Sequence, residues 1–410
     1  MKQPAPTFSI STLGCKVNQY ESQALRERMT RAGFREVRAD PGLLIVNTCA
    51  VTARAEAKAR KLIRRRLRES PGSRIAIIGC GLRYSRRLGR GLDRLVPPGR
   101  RGDLPFSPTG EALRGTTFFA GHCRPLVKVQ DGCDAFCAYC VIPLVRGTPA
   151  SRPAAEVLGE ISGLLDSGYR EIVLTGINLG LYRDGDTGLA GLVERICRLP
   201  GEFRLRLSSV EPGETIAALA ELLARERRLC PHLHLPLQSG SDRVLKLMNR
   251  GYTLDGYREL AGRLREACPD LALTTDCLVG FPGEAEADFA ATRRAVEELG
   301  FSRVHIFPYS PRPRTAAART PPPPPEVIRE RAARLEETAA RAARNYRERF
   351  RSAEVEVLVE EVSGAGEGRG LDRHYLRTRL RGPGLEEGRL YRGRVDGIGD
   401  GELRVELTGG

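Results

Sequence analysis

No apolar run in this sequence approaches the ~20 residues that a membrane span needs, so a membrane-embedded role is excluded as an expectation. The stretch Met1 to Pro6 also lacks the charged-then-apolar pattern of a secretory signal, and the chain is expected in the cytoplasm. In a reducing compartment its eleven cysteines point to metal or catalysis rather than disulfides. Acidic residues are outnumbered: the net charge is +15, and the excess is overwhelmingly arginine, which stays charged and grips phosphate in bidentate fashion. Such an excess favours an acidic partner such as nucleic acid. It is unevenly spread. Arg54 to Arg101 hold 16 Lys and Arg against three acids, whereas Arg351 to Gly410 hold 10 Arg against 12 acids. The basic footprint therefore belongs to the first part of the chain.

The stretch Gly132-Cys133-Asp134-Ala135-Phe136-Cys137-Ala138-Tyr139-Cys140 carries three thiols with the spacing C-x3-C-x2-C. A closed zinc site needs a fourth ligand, and no Cys or His lies close on the C-terminal side to complete one. Three thiolates suit a 4Fe-4S cluster better, and they leave one iron open to an outside ligand. With an aromatic, Tyr139, before the last cysteine, the motif resembles the radical S-adenosylmethionine (SAM) enzymes. The resemblance implies that the open iron chelates the amino and carboxylate groups of SAM.

The first 105 residues read as a parallel α/β layer: strand Phe8–Gly14, helix Gln19–Ala32, strand Leu43–Thr48, helix Arg54–Glu69 and strand Arg74–Gly79. Each strand ends in a cysteine: Cys15, Cys49 and Cys80. Parallel strands present their carboxyl ends on one sheet edge, so the three thiols are expected to converge there into a second three-thiolate site. Leu13-Gly14-Cys15-Lys16-Val17-Asn18-Gln19, Val46-Asn47-Thr48-Cys49 and Gly79-Cys80 resemble the N-terminal domain of the radical-SAM methylthiotransferases. In that family the three cysteines hold an auxiliary 4Fe-4S cluster that carries sulfur. Gly81-Leu82-Arg83 depart from the family's usual residues without touching the ligand. Residues 81 to 122, rich in Gly, Pro and Arg, read as a connector.

Between 123 and 350, six apolar strand candidates alternate with helices: Leu126–Gln130, Glu171–Thr175, Phe203–Ser208, His232–Gln238, Leu271–Val279 and Arg303–Tyr309. Alternation of this kind argues a β/α barrel, and six units fit the partial (β/α)6 barrel that the resemblance implies. Gly176, which would let backbone approach SAM, and Ser209, Glu211, Gln238 and Asp276, polar groups aimed into the barrel mouth, are the candidates for SAM contact. His232 and His234 are read as hydrogen-bonded strand residues. Cys123, Cys197, Cys230, Cys268 and Cys277 have no ligand spacing and are read as ordinary thiols. Pro321 to Pro325 form a stiff linker before a helix, Glu326–Phe350.

Residues 351 to 410 alternate as short strands, the pattern of a small all-β barrel. Its place in the chain resembles the RNA-binding TRAM domain, with Arg373, His374, Tyr375, Arg377 and Arg379 as its cationic and aromatic cluster. The fold class is thus α/β: an N-terminal parallel layer, a central partial barrel and a small C-terminal β-barrel. The resemblance implies a tRNA methylthiotransferase with two 4Fe-4S clusters and SAM, served by a low-potential electron donor and a sulfur source. The expected substrate is N6-threonylcarbamoyladenosine at tRNA nucleotide 37. The branches acting on N6-isopentenyladenosine or a ribosomal-protein aspartate are alternatives, as is a non-catalytic RNA-binding protein with structural iron. Arg64, Arg65 and Arg66 are candidates for tRNA phosphate. Arg146, Arg312 and Arg314 are expected to supply cations at the barrel mouth for the threonylcarbamoyl carboxylate, because a buried unpaired carboxylate is costly.

Overall fold

The computed structural model describes residues 5–84, 115–364 and 366–407. The end of the Arg54–Arg101 basic stretch, most of the expected connector and the first expected domain boundary, near residue 105, lie outside the described residues.

The strand Leu43–Thr48 is buried throughout and sits inside a four-stranded parallel sheet. Its neighbours are Thr7–Thr12 on one side and Arg74–Gly79 on the other; Arg35–Glu36 adds a two-residue edge. Side chains alternate across a strand, and here each face finds a helix. Phe8, Leu43, Ile45 and Ile78 pack with Leu25 and Met29 of the helix Lys16–Arg31. Leu44, Val46, Ile75 and Ile77 pack with Ala59 and Ile63 of the helix Ala53–Glu69.

Six parallel strands follow in spatial order: Leu126–Lys128, Glu171–Thr175, Arg204–Leu207, His232–His234, Ala272–Val279 and Arg303–Pro308. They form two groups of three, joined by parallel bridges between Leu205 and Leu229 and between Ser209 and His234. Among the described residues the first and last strands do not pair, so the barrel is partial and open. Ile172, Leu174, Leu205, Leu207, Leu233 and Leu273 face an apolar shell of helices. The alternate residues, among them Glu171, Arg204, Arg206, His232, His234 and Asp276, are left for the interior. Helix Pro325–Glu348 then leads to a closed five-stranded barrel.

That small barrel is docked by charge. Glu171 is fully buried and accepts Arg204 Nε at 2.6 Å and Arg206 Nε at 2.7 Å. The same two guanidiniums donate to the carbonyls of Leu371, Asp372 and Arg373 at 2.8, 3.0 and 2.9 Å. Arg373, His374 and Tyr375 consequently turn toward the central barrel, while Arg377 is exposed. No helix among the described residues is long and apolar enough to cross a membrane.

Candidate functional site

The first cysteine loop leaves the barrel at Gly132, whose φ of 72° puts it in the left-handed region. A Cβ there would lie 2.0 Å from the Thr148 carbonyl oxygen, so only glycine fits. The loop is pinned from outside by Asn249, whose Nδ2 donates to the carbonyls of Ala135 and Phe136 at 3.2 and 3.1 Å. Each sulfur has a donor facing it: the Ala135 amide at 3.5 Å from Cys133, the Ile142 amide at 3.4 Å from Cys140, and Arg250 Nη1 at 3.2 Å from Cys137. Arg250 is also ion-paired with Glu211. Donors aimed at sulfur favour thiolate, the form that binds iron. Without metal, burial pushes Cys140 up to about 12 and raises Cys133 as well.

The second group stands at the carboxyl edge of the N-terminal sheet. Gly14, with φ 124°, lets the backbone turn so closely that a Cβ there would lie 3.2 Å from Cys49 Cβ. Asn18 ties the edge together, donating to the carbonyls of Leu13 at 3.0 Å and Thr48 at 3.2 Å. The Val51 amide reaches Cys49 Sγ at 3.5 Å, and Arg146 Nε reaches Cys80 Sγ at 3.1 Å. Burial pushes the Cys80 thiol up to about 11, against the pull of Arg146, and Cys15 is close enough to be felt by both Cys49 and Cys80.

These two groups are mechanically joined. The short helix Ile142–Arg146 starts beside Cys140 and ends at the arginine that meets Cys80. Ala50, Cys80, Val141 and Val145 share one buried cluster. Among the described residues no three His, Cys, Asp or Glu side chains are gathered as one metal ion requires. A 4Fe-4S cluster asks something different, since each thiolate takes its own iron. All-sulfur donor sets of three, each with an amide or guanidinium facing a sulfur, fit that group.

Between the two groups lie two cavities. The larger, about 410 Å³, falls within the range of small-molecule sites. It is lined by Cys15 and Lys16 on one side and by Gly176, Ser209, Asp276 and His305 on the other. The smaller, about 150 Å³, is lined by Cys140, Gln238, Asp276, Tyr309 and, from the loop after Cys49, Val51 and Thr52. Asp276 and Phe307 line both. Ser208 and His232 also line the larger cavity, and Ser208 Oγ and His232 Nδ1 are buried with no hydrogen-bond partner.

Of the expected SAM contacts, Gly176, Ser209, Gln238 and Asp276 therefore line these cavities, and Glu211 is committed to Arg250. Gly176 itself is pressed by Gln130 and Leu179, each 3.1 Å from where its Cβ would be. Asp276 Oδ1 faces His234 Nε2 at 3.3 Å, and His234 Nδ1 faces Thr274 Oγ1 at 2.9 Å, so that histidine is a hydrogen-bonded strand residue. The expectation of free mouth cations is corrected for two of the three arginines. Arg146 is buried against Glu21 and Asp131, both at 2.9 Å, and Arg312 is buried against Glu56 at 3.2 Å. Their charges are already met. Arg314 stays exposed, laid over the Tyr84 ring at 5.1 Å. On the basic helix, Arg64 and Arg65 are exposed, whereas Arg66 is half-buried and bound to Ser9 Oγ at 2.9 Å.

Sequence reasoning missed Arg250, Arg303 and His305, and assigned Tyr375 to an RNA-binding cluster rather than to the larger cavity. Each reaches the site from an element remote in sequence, and only the +1 position of Lys16 next to Cys15 carried a local signal.

Comparison with known proteins bears on the same regions. Residues 127–296 match the Radical SAM superfamily, and residues 7–90 match the uncharacterized protein family UPF0004. The chain is 42% identical to the threonylcarbamoyladenosine tRNA methylthiotransferase MtaB of Chlamydia pneumoniae, covering 87% of this chain and 88% of that one. It is 37% identical to the protein of the same name in Thermotoga maritima, over 90% of each chain. It is 34% identical to the tRNA-2-methylthio-N(6)-dimethylallyladenosine synthase of Cereibacter sphaeroides, over 98% of each. Among solved structures, the radical S-adenosylmethionine methyltransferase TsrM of Kitasatospora setae superposes with a TM-score of 0.56 at 15% identity, covering 77% of each chain, a likeness of fold. With relatives this similar over nearly its whole length, the chain belongs to the radical-SAM tRNA methylthiotransferase family and is a transferase.

Proposed function

We propose that this chain uses SAM and two 4Fe-4S clusters to place a methylthio group on C2 of N6-threonylcarbamoyladenosine at nucleotide 37 of tRNA. The observation that carries the reading is a shared wall: Asp276 and Phe307 line both the cavity that holds Cys15 and the one that holds Cys140. A base entering there would stand between the two thiol groups. Two relatives that act, by name, on threonylcarbamoyladenosine add support for the substrate.

When bound, SAM and the clusters would supply one-electron chemistry and sulfur for a carbon too inert for acid–base attack. The chain's own residues bind and shield. Cys133, Cys137 and Cys140 would hold one cluster, with Arg250 and two backbone amides stabilising the thiolates. Cys15, Cys49 and Cys80 would hold the other, with Arg146 at Cys80. Gln238 and Asp276 present polar groups to the smaller cavity, and Leu278, Phe307 and Tyr309 keep water from it. Exposed basic residues of the helix Ala53–Glu69 meet tRNA phosphate, and a low-potential donor and a sulfur source complete the system.

The test offers the reconstituted enzyme tRNA bearing either threonylcarbamoyl or isopentenyl adenosine and analyses the product nucleosides by mass spectrometry. The expected product is the 2-methylthio derivative of the first alone. Conversion of the isopentenyl form alone would replace the substrate, and conversion of neither would remove the reading.

A further inference from the structure

With Arg146 and Arg312 committed to carboxylates, the threonylcarbamoyl carboxylate needs another cation, and the larger cavity contains two. Lys16 and Arg303 both line it, from the start of the first helix and of the last barrel strand. Neither has an ion-pair partner among the described residues. Their neighbours are all spoken for. Arg124 and Arg206 surround the same Tyr375 ring as Lys16, at 5.4, 4.9 and 5.6 Å, but both are paired, Arg206 with Glu171 and Arg124 with Glu360. The cavity wall thus sets two cations with no ion-pair partner among the described residues, Lys16 and Arg303, against one carboxylate, Asp276, which faces His234.

Tyr375 shapes the chamber beneath Lys16. It stands in the left-handed region at φ 67°, a strained choice for a residue with a side chain, and its ring packs on His232 at 4.8 Å between centroids. Lys16, Arg124 and Arg206 all lie against this ring, and of the three only Lys16 lines the cavity. His305 stands in the same wall; burial, then the Arg303 charge, hold its imidazole below the usual range, so it offers a neutral donor and acceptor.

We propose that Lys16 and Arg303 bind the carboxylate of the N6 side chain, with His305 placed for its hydroxyl, and that this cationic chamber sets the choice of base. The inference rests on the substrate reading above and assigns it to named residues. The apolar isopentenyl group would leave the half-buried Lys16 and the strand-end Arg303 facing the chamber without an anion, an unfavourable arrangement.

The anion in the chamber could equally be a tRNA phosphate or the carboxylate of SAM, and binding measurements separate the three. Affinities of the full-length, cluster-reconstituted protein are measured for an anticodon stem-loop with threonylcarbamoyladenosine and for one with unmodified adenosine, with and without SAM. Wild type should prefer the first by roughly tenfold or more, as a charge-assisted contact provides. Lys16→Met should erase most of that preference while binding the unmodified loop as wild type does; Lys16→Arg should restore it. Arg303→Gln, at an exposed strand end, should weaken it independently, and iron content confirms that each variant is intact. An equal loss on both loops would mark a phosphate contact and overturn the proposal. A preference that survives in Lys16→Met and in Arg303→Gln overturns it too, as does a loss confined to SAM binding. If wild type shows no preference, the substrate reading falls and takes this inference with it.

Discussion

Arg146 brings one charge to a place where two carboxylates and a thiol converge. Its Nη1 meets Glu21 and Asp131 at 2.9 Å each, and Lys128 balances them from the other side at 3.0 and 3.1 Å. Removing one member of such a buried set strands the opposite charge, so Arg146→Met should destabilise the metal-free protein by about 3–5 kcal/mol. Arg314→Ala should cost no more than about 1 kcal/mol, since it loses an exposed contact over the Tyr84 ring and a long, exposed hydrogen bond to the Tyr84 carbonyl. Denaturant midpoints of the two variants check this contrast, and equal shifts would refute it. At this scale the thiols were legible from spacing and strand ends. The partners of the arginines were not, because Glu56 and Arg312 meet across 256 residues of chain and nothing local announces the pairing.

The helix Ala53–Glu69 carries Arg54, Lys58, Lys61, Arg65 and Arg68 at intervals of three and four, all exposed along one stripe. Seventeen residues make a rod of about 25 Å, long enough to follow several phosphates. Replacing Lys58, Lys61 and Arg65 with Gln should lower the salt slope of tRNA binding by about 2–3 units. Arg66→Gln should barely change that slope, because its side chain is turned to Ser9. A second element, the turn at His374, clamps the C-terminal barrel to the central one through Asp270 at 2.9 Å and Asp372 at 3.1 Å. Burial alone would push His374 down, but these two hydrogen bonds outweigh it and the pKa is raised. A raised pKa means stabilisation that is complete below about pH 6.5 and lost as pH rises through the folded value. Asp270, lowered chiefly by its bond to His374, contributes above about pH 4 and loses its share only in stronger acid. The unfolding midpoint should therefore fall as pH rises above about 6.5, and His374→Gln should flatten that fall; a parallel curve would exclude the clamp. Elements with strong periodicity were legible, such as Leu43–Thr48 and the six barrel strands. Helix Lys16–Arg31 begins three residues before its expected start because Cys15 caps it without any side-chain bond. Arg35–Glu36 is too short and too charged to alternate.

Across the whole molecule, cysteines of the two thiol groups line two cavities that share Asp276 and Phe307, and the C-terminal barrel contributes Tyr375 to the wall of the larger. That Cys15, Cys49 and Cys80 stand at one edge of the sheet was legible because parallel strands share a carboxyl edge. The inward turn of Arg373, His374 and Tyr375 was not: a cluster of cations and aromatics reads the same whether it faces RNA or a neighbouring domain, and only Glu171 with its two buried arginines decides. Iron counting tests the central claim, that the chain holds two separate three-thiolate sites, most directly. Anaerobically reconstituted wild type should bind about eight irons, and replacing either Cys133, Cys137 and Cys140 or Cys15, Cys49 and Cys80 with Ala should leave about four. Full iron in the Cys15/Cys49/Cys80 variant would contradict the account.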